Sequence, residues 1–274
     1  MRWDAKSLPG LVRSKNEDAW LVRRIREKPD VWFLAVADGM GGFEGGEFAS
    51  RLAIQTCYEH VVRSVTACGE GEKGSKPAAR ENEAGVRSGR SLPEALENGV
   101  KKANEVVYKE ALKLFGYPGM GTTLTAALIQ GNDLYVSHVG DSRAYLISSG
   151  VIKQISEDHS VVGELMKNGA LSEDEAMRHP QRHILTLALG TEADLPVSSY
   201  RESLKDGDVV VLCTDGLTTL VSSSEILEAV KTKPRSELSS FLVDLANSRG
   251  GYDNITLVVF WVDTRGDPEV NSLA

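Results

Sequence analysis

The fold is decided by the stretch Leu124-Thr-Ala-Ala-Leu-Ile-Gln-Gly-Asn-Asp-Leu-Tyr-Val-Ser-His-Val-Gly-Asp-Ser-Arg-Ala-Tyr-Leu-Ile147. Three strand-like runs rich in apolar residues lie in and beside it, over residues 122–129, 134–139 and 143–147. They are separated by turn-forming residues, Gly131-Asn132-Asp133 and Gly140-Asp141-Ser142. Because no helix separates these strands, antiparallel pairing is favoured, and the stretch predicts a three-stranded meander.

Further strands and long helices are predicted on both sides of this meander. The additional strand-like runs cover residues 18–23, 31–37, 208–213 and 255–262. Apolar residues at helical spacing predict helices over residues 47–65, 92–115, 223–231 and 236–248. Helices combined with antiparallel strands predict a layered α+β fold.

Length and composition predict one globular domain. The 274 residues, 41% hydrophobic and 26% charged, can bury a large core without a partner chain, so we expect a monomer. No internal repeat or clear boundary divides the chain, and residues 1–274 are predicted to form a single domain. Residues 68–91, rich in glycine and charge, are predicted to be a flexible insert, and residues 264–274 a frayed tail.

Net charge and cysteine use exclude several classes of protein. A formal charge of −8 argues against nucleic acid or anionic membranes as partners, since both are bound by basic surfaces. The three cysteines form no C-x-x-C pair and suit a reducing compartment. The N-terminus lacks the apolar core of a signal peptide, and no apolar run approaches the roughly 18 residues of a membrane span. We therefore expect a cytoplasmic protein.

Acidic residues recur where the predicted strands end or begin. Three of them directly follow an apolar run at its C-terminal end, namely Asp38, Asp141 and Asp215. Three others stand immediately before a run, namely Glu17, Asp18 and Asp253. In an antiparallel sheet, the end of one strand lies beside the start of its neighbour. All six carboxylates are therefore predicted to gather at one edge of the fold.

A cluster of this kind predicts a metal site that acts on phosphate. Gathered negative groups need cations or protons, and oxygen ligands without His or Cys favour Mg²⁺, Mn²⁺ or Ca²⁺ over Zn²⁺. The glycines in Asp38-Gly39 and Asp215-Gly216 allow a sharp turn that brings a backbone carbonyl close to the site. The pattern suits two metal ions whose bound hydroxide attacks phosphorus, with Arg13 placed to hold the phosphate.

Six short motifs in one order resemble the bacterial metal-dependent protein phosphatases of the PP2C (PPM) family. They run from about residue 10 to about residue 262 and are Arg13-Ser-Lys-Asn-Glu17-Asp18, Val36-Ala-Asp38-Gly39-Met-Gly-Gly42, Gly121-Thr-Thr, Val139-Gly-Asp141-Ser142-Arg143, Cys213-Thr-Asp215-Gly216-Leu217 and Asp253-Asn254-Ile255-Thr256. The resemblance implies a central antiparallel β-sandwich flanked by helices. It also implies hydrolysis of phosphoserine and phosphothreonine in proteins with Mn²⁺ or Mg²⁺. Two ions are expected, and a third, weaker site would bring the number to three.

The resemblance further implies a role for each matching residue. Asp38 is the expected bridging ligand, and Asp215 and Asp253 complete one metal shell, so these three are the expected catalytic centre. The Gly39 carbonyl is the expected ligand of the second metal, with Glu17 reaching it through water.

Three more positions receive roles from the same resemblance. Asp18 is expected to orient the metal-bound waters, and Asp141, together with Asp215, to hold the third metal. Arg13 is expected to bind the substrate phosphate.

The resemblance also covers residues 156–200 and implies that they include a flap beside the active site. The animal members carry a His just after the Asp-Gly, whereas this chain has Met40, so the proton donor to the leaving group stays open. A metal-bound water is the simplest donor. His159 is a candidate for this acid, and the alternative for His159 is a structural hydrogen-bonding role.

Partners and rival functions follow from these expectations. Phosphoproteins, and a cognate eukaryotic-type Ser/Thr kinase that makes them, are the expected partners. A catalytically silent module that binds phosphoproteins is the alternative, although no ligand position is replaced. Cys57 and Arg63 match the C-x₅-R spacing of cysteine phosphatases, but they lie in a predicted helix without the glycines of a phosphate loop.

Overall fold

The computed structural model describes residues 2–27, 29–41, 45–67, 91–116 and 119–263. The tail predicted over residues 264–274, and the predicted insert apart from Ser91, lie outside these ranges and stay predictions. None of the helices in the described ranges has the length and apolar character needed to cross a membrane.

Twelve strands and seven helices make up the described fold. In chain order the strands are β1 (Trp3–Leu8), β2 (Ala19–Glu27), β3 (Asp30–Ala37), β4 (Gly39–Gly41), β5 (Met120–Thr122), β6 (Leu124–Gln130), β7 (Asp133–Val139), β8 (Arg143–Ser148), β9 (Val151–Gln154), β10 (Ser198–Ser203), β11 (Val209–Cys213) and β12 (Ile255–Trp261). The helices are α1 (Gly45–Ala67), α2 (Leu92–Phe115), α3 (Val161–Lys167), α4 (Glu173–Arg178), α5 (Asp215–Thr218), α6 (Ser223–Thr232) and α7 (Leu238–Ser248).

Two five-stranded antiparallel sheets form a sandwich. The first sheet has the order β1-β12-β11-β8-β9 and the second has the order β10-β7-β6-β3-β2, while β4 and β5 form a separate small ribbon. Their inner faces share one apolar cluster, in which Leu34 and Val36 of the second sheet meet Leu212 and Phe260 of the first. The central strands are buried on both faces, which explains their nearly continuous apolar sequences.

Helices cover the outer face of each sheet. The long helices α1 and α2 pack on the second sheet, and α6 and α7 pack on the first. α2 begins with a capping box formed by Ser91 and Glu94, and it ends at Gly116 in the left-handed conformation. The predicted α+β fold, an antiparallel sandwich between helical layers, is confirmed.

The meander prediction is half right. β6 and β7 pair as a hairpin around Gly131, as expected. β8 does not continue that sheet, because it pairs with β9 and β11 in the other sheet. Residues 140–142 therefore cross between the sheets, with Gly140 at a φ of +112° against the Thr123 side chain. A Cβ at Gly140 would lie 2.5 Å from Thr123 Cγ2, so glycine permits the crossing.

The longer strands that the sequence did not predict all lie at sheet edges. β1 and β9 are the two edges of the first sheet, and β10 is an edge of the second. Edge strands are less buried and alternate polar with apolar residues, as in the half-buried run Trp3-Asp-Ala-Lys-Ser-Leu8 of β1. Their pattern is therefore weaker than that of the buried central strands.

Candidate active site

The strand-end acids meet in a cavity of about 930 Å³. Every site residue predicted from the sequence except Asp18 lines this cavity, namely Arg13, Glu17, Asp38, Gly39, Asp141, Asp215 and Asp253. Asp18 is buried behind it, where its Oδ2 accepts a hydrogen bond from Thr214 Oγ1 at 2.9 Å. The structure thus brings together the groups that the sequence places at five separate strand boundaries.

Hydrogen bonds from two threonines hold the backbone of Asp38. Its N–H donates to Thr123 Oγ1 at 2.8 Å, and its carbonyl accepts from the Thr123 N–H at 2.9 Å and from Thr122 Oγ1 at 2.8 Å. Thr123 Oγ1 also lies 2.7 Å from Ser142 Oγ, next to Asp141. One buried hydroxyl pair therefore links the backbone that carries Asp38 to the crossing that carries Asp141.

Close backbone packing sets the position of Gly39. A Cβ there would lie 2.1 Å from the Gly46 carbonyl oxygen and 2.6 Å from the Glu17 carbonyl oxygen, so no other residue fits without a shift. A Cβ at Gly46 would in turn lie 2.8 Å from both the Gly39 carbonyl oxygen and Glu17 Oε1. The Gly39 carbonyl and the Glu17 carboxylate therefore approach the same point at the start of α1.

Asn254 ties the N-terminal loop to the beginning of β12. Its Oδ1 accepts from the Glu17 N–H at 2.7 Å, and its Nδ2 donates to the carbonyls of Pro9 and Lys15 at 3.1 and 2.8 Å. Beside it, Arg13 Nη2 donates to Asp253 Oδ2 at 2.8 Å. No role of its own was predicted for Asn254, since its partners lie about 240 residues away.

Burial and mutual repulsion disturb the ionisation of these acids. Burial raises the pKa of Asp18 to about 7, and the charges of Asp215 and Asp253 add to this effect. Burial also raises the pKa of Asp38 and of Asp141 well above the usual range, and nearby carboxylates raise both further. The cavity therefore holds more negative charge than its own cations neutralise.

Two oxygens at this site are buried without a hydrogen-bond partner, Asp18 Oδ1 and Asp215 Oδ1. Buried carboxylate oxygens are costly to leave unpaired, and an oxygen-only donor set suits Mg²⁺ or Mn²⁺. The residues thus fit a divalent cation in charge and chemistry. In the described part of the chain, however, no three His, Cys, Asp or Glu side chains could hold an ion as they stand, so a complete ligand shell requires side-chain movement.

The segment 156–200 supplies a further wall of the cavity. Met177, Arg182, His183, Ile184 and Leu185 line it, and His183 Nδ1 lies 3.8 Å from Asp215 Oδ2. Arg182 and His183 were not predicted individually, although the resemblance covered residues 156–200, which contain both.

His159, the candidate acid, does not line the cavity. Its Nδ1 accepts from the Gly140 N–H at 3.2 Å, and its Nε2 lies 3.0 Å from Ser198 Oγ. Both ring nitrogens are engaged, Nδ1 with the sheet crossing at Gly140 and Nε2 with β10, which supports the structural alternative. Cys57 is buried within α1, where burial raises the pKa of its thiol, so it lacks the reactive thiolate of a cysteine phosphatase.

A buried ion pair lies behind Asp141. Arg143 Nε lies 3.0 Å from both carboxylate oxygens of Asp158, and Arg143 Nη2 donates to Asp158 Oδ2 at 2.8 Å. Arg143 also donates to Tyr145 Oη at 3.1 Å. This guanidinium lowers the pKa of Asp141, in opposition to the burial and the carboxylates that raise it.

Comparisons with known proteins agree with this architecture. Serine/threonine phosphatase stp of Listeria innocua is 33% identical over 251 residues, which cover 91% of each chain. Serine/threonine protein phosphatase PstP of Mycobacterium tuberculosis is 37% identical over 260 residues, 94% of this chain and 44% of that protein. The crystal structure of the M. tuberculosis phosphatase PstP/Ppp superposes with a TM-score of 0.75 at 34% identity, covering 96% of this chain and 98% of that one.

A second solved structure bears on the metals. It is the catalytic domain of PstP in complex with two manganese ions, which matches with a TM-score of 0.73 at 33% identity and covers 96% of this chain and 98% of that one. Residues 12–253 also match the sequence profile of protein phosphatase 2C. This match includes every strand-end acid in the cavity, and the chain belongs to the protein phosphatase 2C family.

Proposed function

We propose that this chain is a metal-dependent phosphatase that hydrolyses phosphoserine and phosphothreonine in proteins. The observation that carries the proposal is the set of carboxylates that line one cavity beside the guanidinium of Arg13. Among the described residues, Asp215 Oδ1 in this set and Oδ1 of the neighbouring Asp18 are buried without a hydrogen-bond partner. When bound there, Mn²⁺ or Mg²⁺ ions activate water and neutralise phosphate charge. The manganese complex of a related catalytic domain supports this choice of metal.

Each residue has a distinct part in the proposed site. Asp38, Asp215 and Asp253 would hold the first ion, and Asp38 would also be shared with a second one. The Gly39 carbonyl would contribute to the second position, and Glu17 would reach it through water.

The remaining acids and the arginine support this core. Asp18 orients water from behind the site, and Asp141 with Asp215 forms a third, weaker cation position. The Arg13 side chain is 55% exposed and, among the described residues, donates through Nη2 to Asp253; the guanidinium is proposed to hold two oxygens of a phosphate.

The substrates follow from the reaction. A phosphatase of this specificity consumes the products of Ser/Thr protein kinases, so we propose such a kinase as its opponent. Its two described cysteines, Cys57 and Cys213, are free and buried, which supports a reducing compartment such as the cytoplasm. A silent binding module is disfavoured because every proposed ligand position carries an oxygen donor.

Hydrolysis of a phosphothreonine peptide with added Mn²⁺, and again with EDTA, tests the proposal. We expect turnover with Mn²⁺ and none after chelation. Asp38→Asn is expected to lower turnover by at least about 100-fold and to lower metal stoichiometry by calorimetry. Activity that survives chelation, or no activity with Mn²⁺ or Mg²⁺, would refute the function.

Asp208→Asn is the matched control for this experiment. Asp208 is a buried aspartate that directly precedes β11, whereas Asp38 directly follows β3. It accepts a hydrogen bond from the Lys205 N–H and does not line the cavity. We expect the control variant to retain both activity and metal binding.

A further inference from the structure

Exposed apolar side chains lie at the cavity and on the chain segment that leads into it. Nine large apolar residues are exposed in the described part of the chain; Ile184 and Tyr252 line the cavity, and Leu11 and Val12 directly precede Arg13, which also lines it. Three of these four are more than 60% exposed. Single exposed apolar residues are common, but a group at a functional cavity indicates a binding surface.

Leu11, Val12 and Tyr252 stand on two loops that form one wall. The Leu11 N–H donates to the Gly251 carbonyl at 2.8 Å, and the Arg13–Asp253 ion pair joins the same two loops. The apolar side chains are thus carried by the same loops as the proposed phosphate-binding guanidinium.

Ile184 brings an apolar group from another wall of the same cavity. It is 47% exposed, and its carbonyl accepts from the Val161 N–H at 3.0 Å, which anchors this part of the segment 156–200. Acidic side chains line the cavity, and Ile184 and Tyr252 add apolar groups to the same lining from two separate segments of the chain.

We propose that these four residues bind apolar side chains that flank the phosphorylated residue of a protein substrate. This inference rests on the proposed phosphatase function. Phosphoserine and phosphothreonine have short side chains, so a phosphate held by Arg13 keeps the substrate backbone at the mouth of the cavity. Its neighbouring residues then contact these side chains, and apolar neighbours gain by removing both surfaces from water.

Two phosphothreonine peptides that differ only in their flanking residues test the inference. One carries leucine on both sides of the phosphothreonine, and the other carries serine. For the Mn²⁺-loaded protein, we expect kcat/KM to be about fivefold to tenfold higher with the leucine peptide. Val12→Ser and Tyr252→Ser are each expected to reduce that ratio to about twofold or less, mainly through KM.

Val151→Ser is the matched control for Val12→Ser. The two valines are 65% and 64% exposed, but Val151 lies on β9, away from the cavity. The control is expected to keep the wild-type preference.

The remaining outcomes contradict either the binding of apolar flanking residues or the phosphatase function itself. A ratio near one in the wild type overturns the inference, as does an unchanged ratio in both Val12→Ser and Tyr252→Ser or an equal loss in the control. Such results would leave these apolar residues to another occupant, a second copy of the chain or a lipid surface, while hydrolysis itself still stands. Failure to hydrolyse either peptide would instead refute the phosphatase function and this inference with it.

Discussion

Replacing Asp18 by asparagine is expected to stabilise the metal-free protein at alkaline pH. Asp18 is 6% exposed, its Oδ1 has no hydrogen-bond partner, and burial raises its pKa to about 7 from a usual value of 3.8. The folded protein therefore keeps a proton that the unfolded chain has already lost. Stability from this group is complete below about pH 3.8 and is lost as the pH rises through about 7.

The size of the effect follows from the same shift. Between pH 5 and a pKa of about 7 lie about two pH units, and each unit corresponds to about 1.4 kcal/mol. The wild type should therefore lose about 3 kcal/mol of unfolding free energy through Asp18 between pH 5 and pH 8. Asparagine at this position carries no charge and removes that loss, while its side-chain oxygen can still accept from Thr214.

Urea denaturation in EDTA at pH 5 and pH 8 measures this difference. We expect the Asp18→Asn variant to gain about 3 kcal/mol relative to the wild type when the pH is raised. Asp30→Asn is a control that is expected to be less stable than the wild type at both pH values. The burial of Asp30 is outweighed by hydrogen bonds from Arg2, Arg24 and Trp32, so its pKa is lowered and its charge is stabilising.

Manganese should reverse the trend in the wild type at pH 8, because a cation that binds only the folded state stabilises it. If the unfolding free energies of the wild type and Asp18→Asn change equally with pH in the absence of metal, Asp18 does not carry the predicted proton. A gain in stability of Asp30→Asn alongside Asp18→Asn would contradict the opposite pKa shifts of the two aspartates.

Three further outcomes are expected. Arg13→Ala should raise KM for a phosphopeptide with little change in kcat, and a selective loss of kcat would contradict this role. The same variant should lower the free energy of unfolding, measured with urea, by less than about 1 kcal/mol, because its ion pair is exposed. Asp158→Ala should lower the free energy of unfolding by about 3–5 kcal/mol, because it leaves the Arg143 guanidinium largely buried without its carboxylate. The double variant with Arg143→Met should recover part of that loss. Strictly additive losses in the two single variants would contradict a coupling between these residues. Cys57 and Cys213 are buried with raised thiol pKa values, so peptide mapping after thiol labelling should find them modified only in urea.

Much of the fold and the site could be predicted because the informative residues act locally. A buried central strand such as β11, Val209–Cys213, must be apolar on both faces, so it is visible without its partners. An aspartate directly after such a strand is equally visible. Because antiparallel neighbours bring ends and starts together, six separated acids predicted one cluster.

Contacts between distant residues could not be predicted in this way. β8 follows a turn that resembles a hairpin, yet it pairs with β11 rather than β7. The local pattern of an apolar strand is compatible with either sheet, so the sequence does not indicate which sheet the strand joins. The role of Asn254 depends on carbonyls of Pro9 and Lys15, about 240 residues away. The presence of His183 in the cavity depends likewise on how residues 156–200 fold back.

By itself, the sequence determined the layered α+β class, the strand-end positions of the acidic residues and the motifs of the protein phosphatase 2C family. Only the tertiary structure decided that residues 140–142 cross between sheets, that His159 bonds to this crossing outside the cavity, and that Ile184 and Tyr252 line the cavity. The physical reason is that residue type and strand pattern are properties of neighbours along the chain. Burial, pKa shifts and the composition of a cavity wall arise only when distant segments pack together.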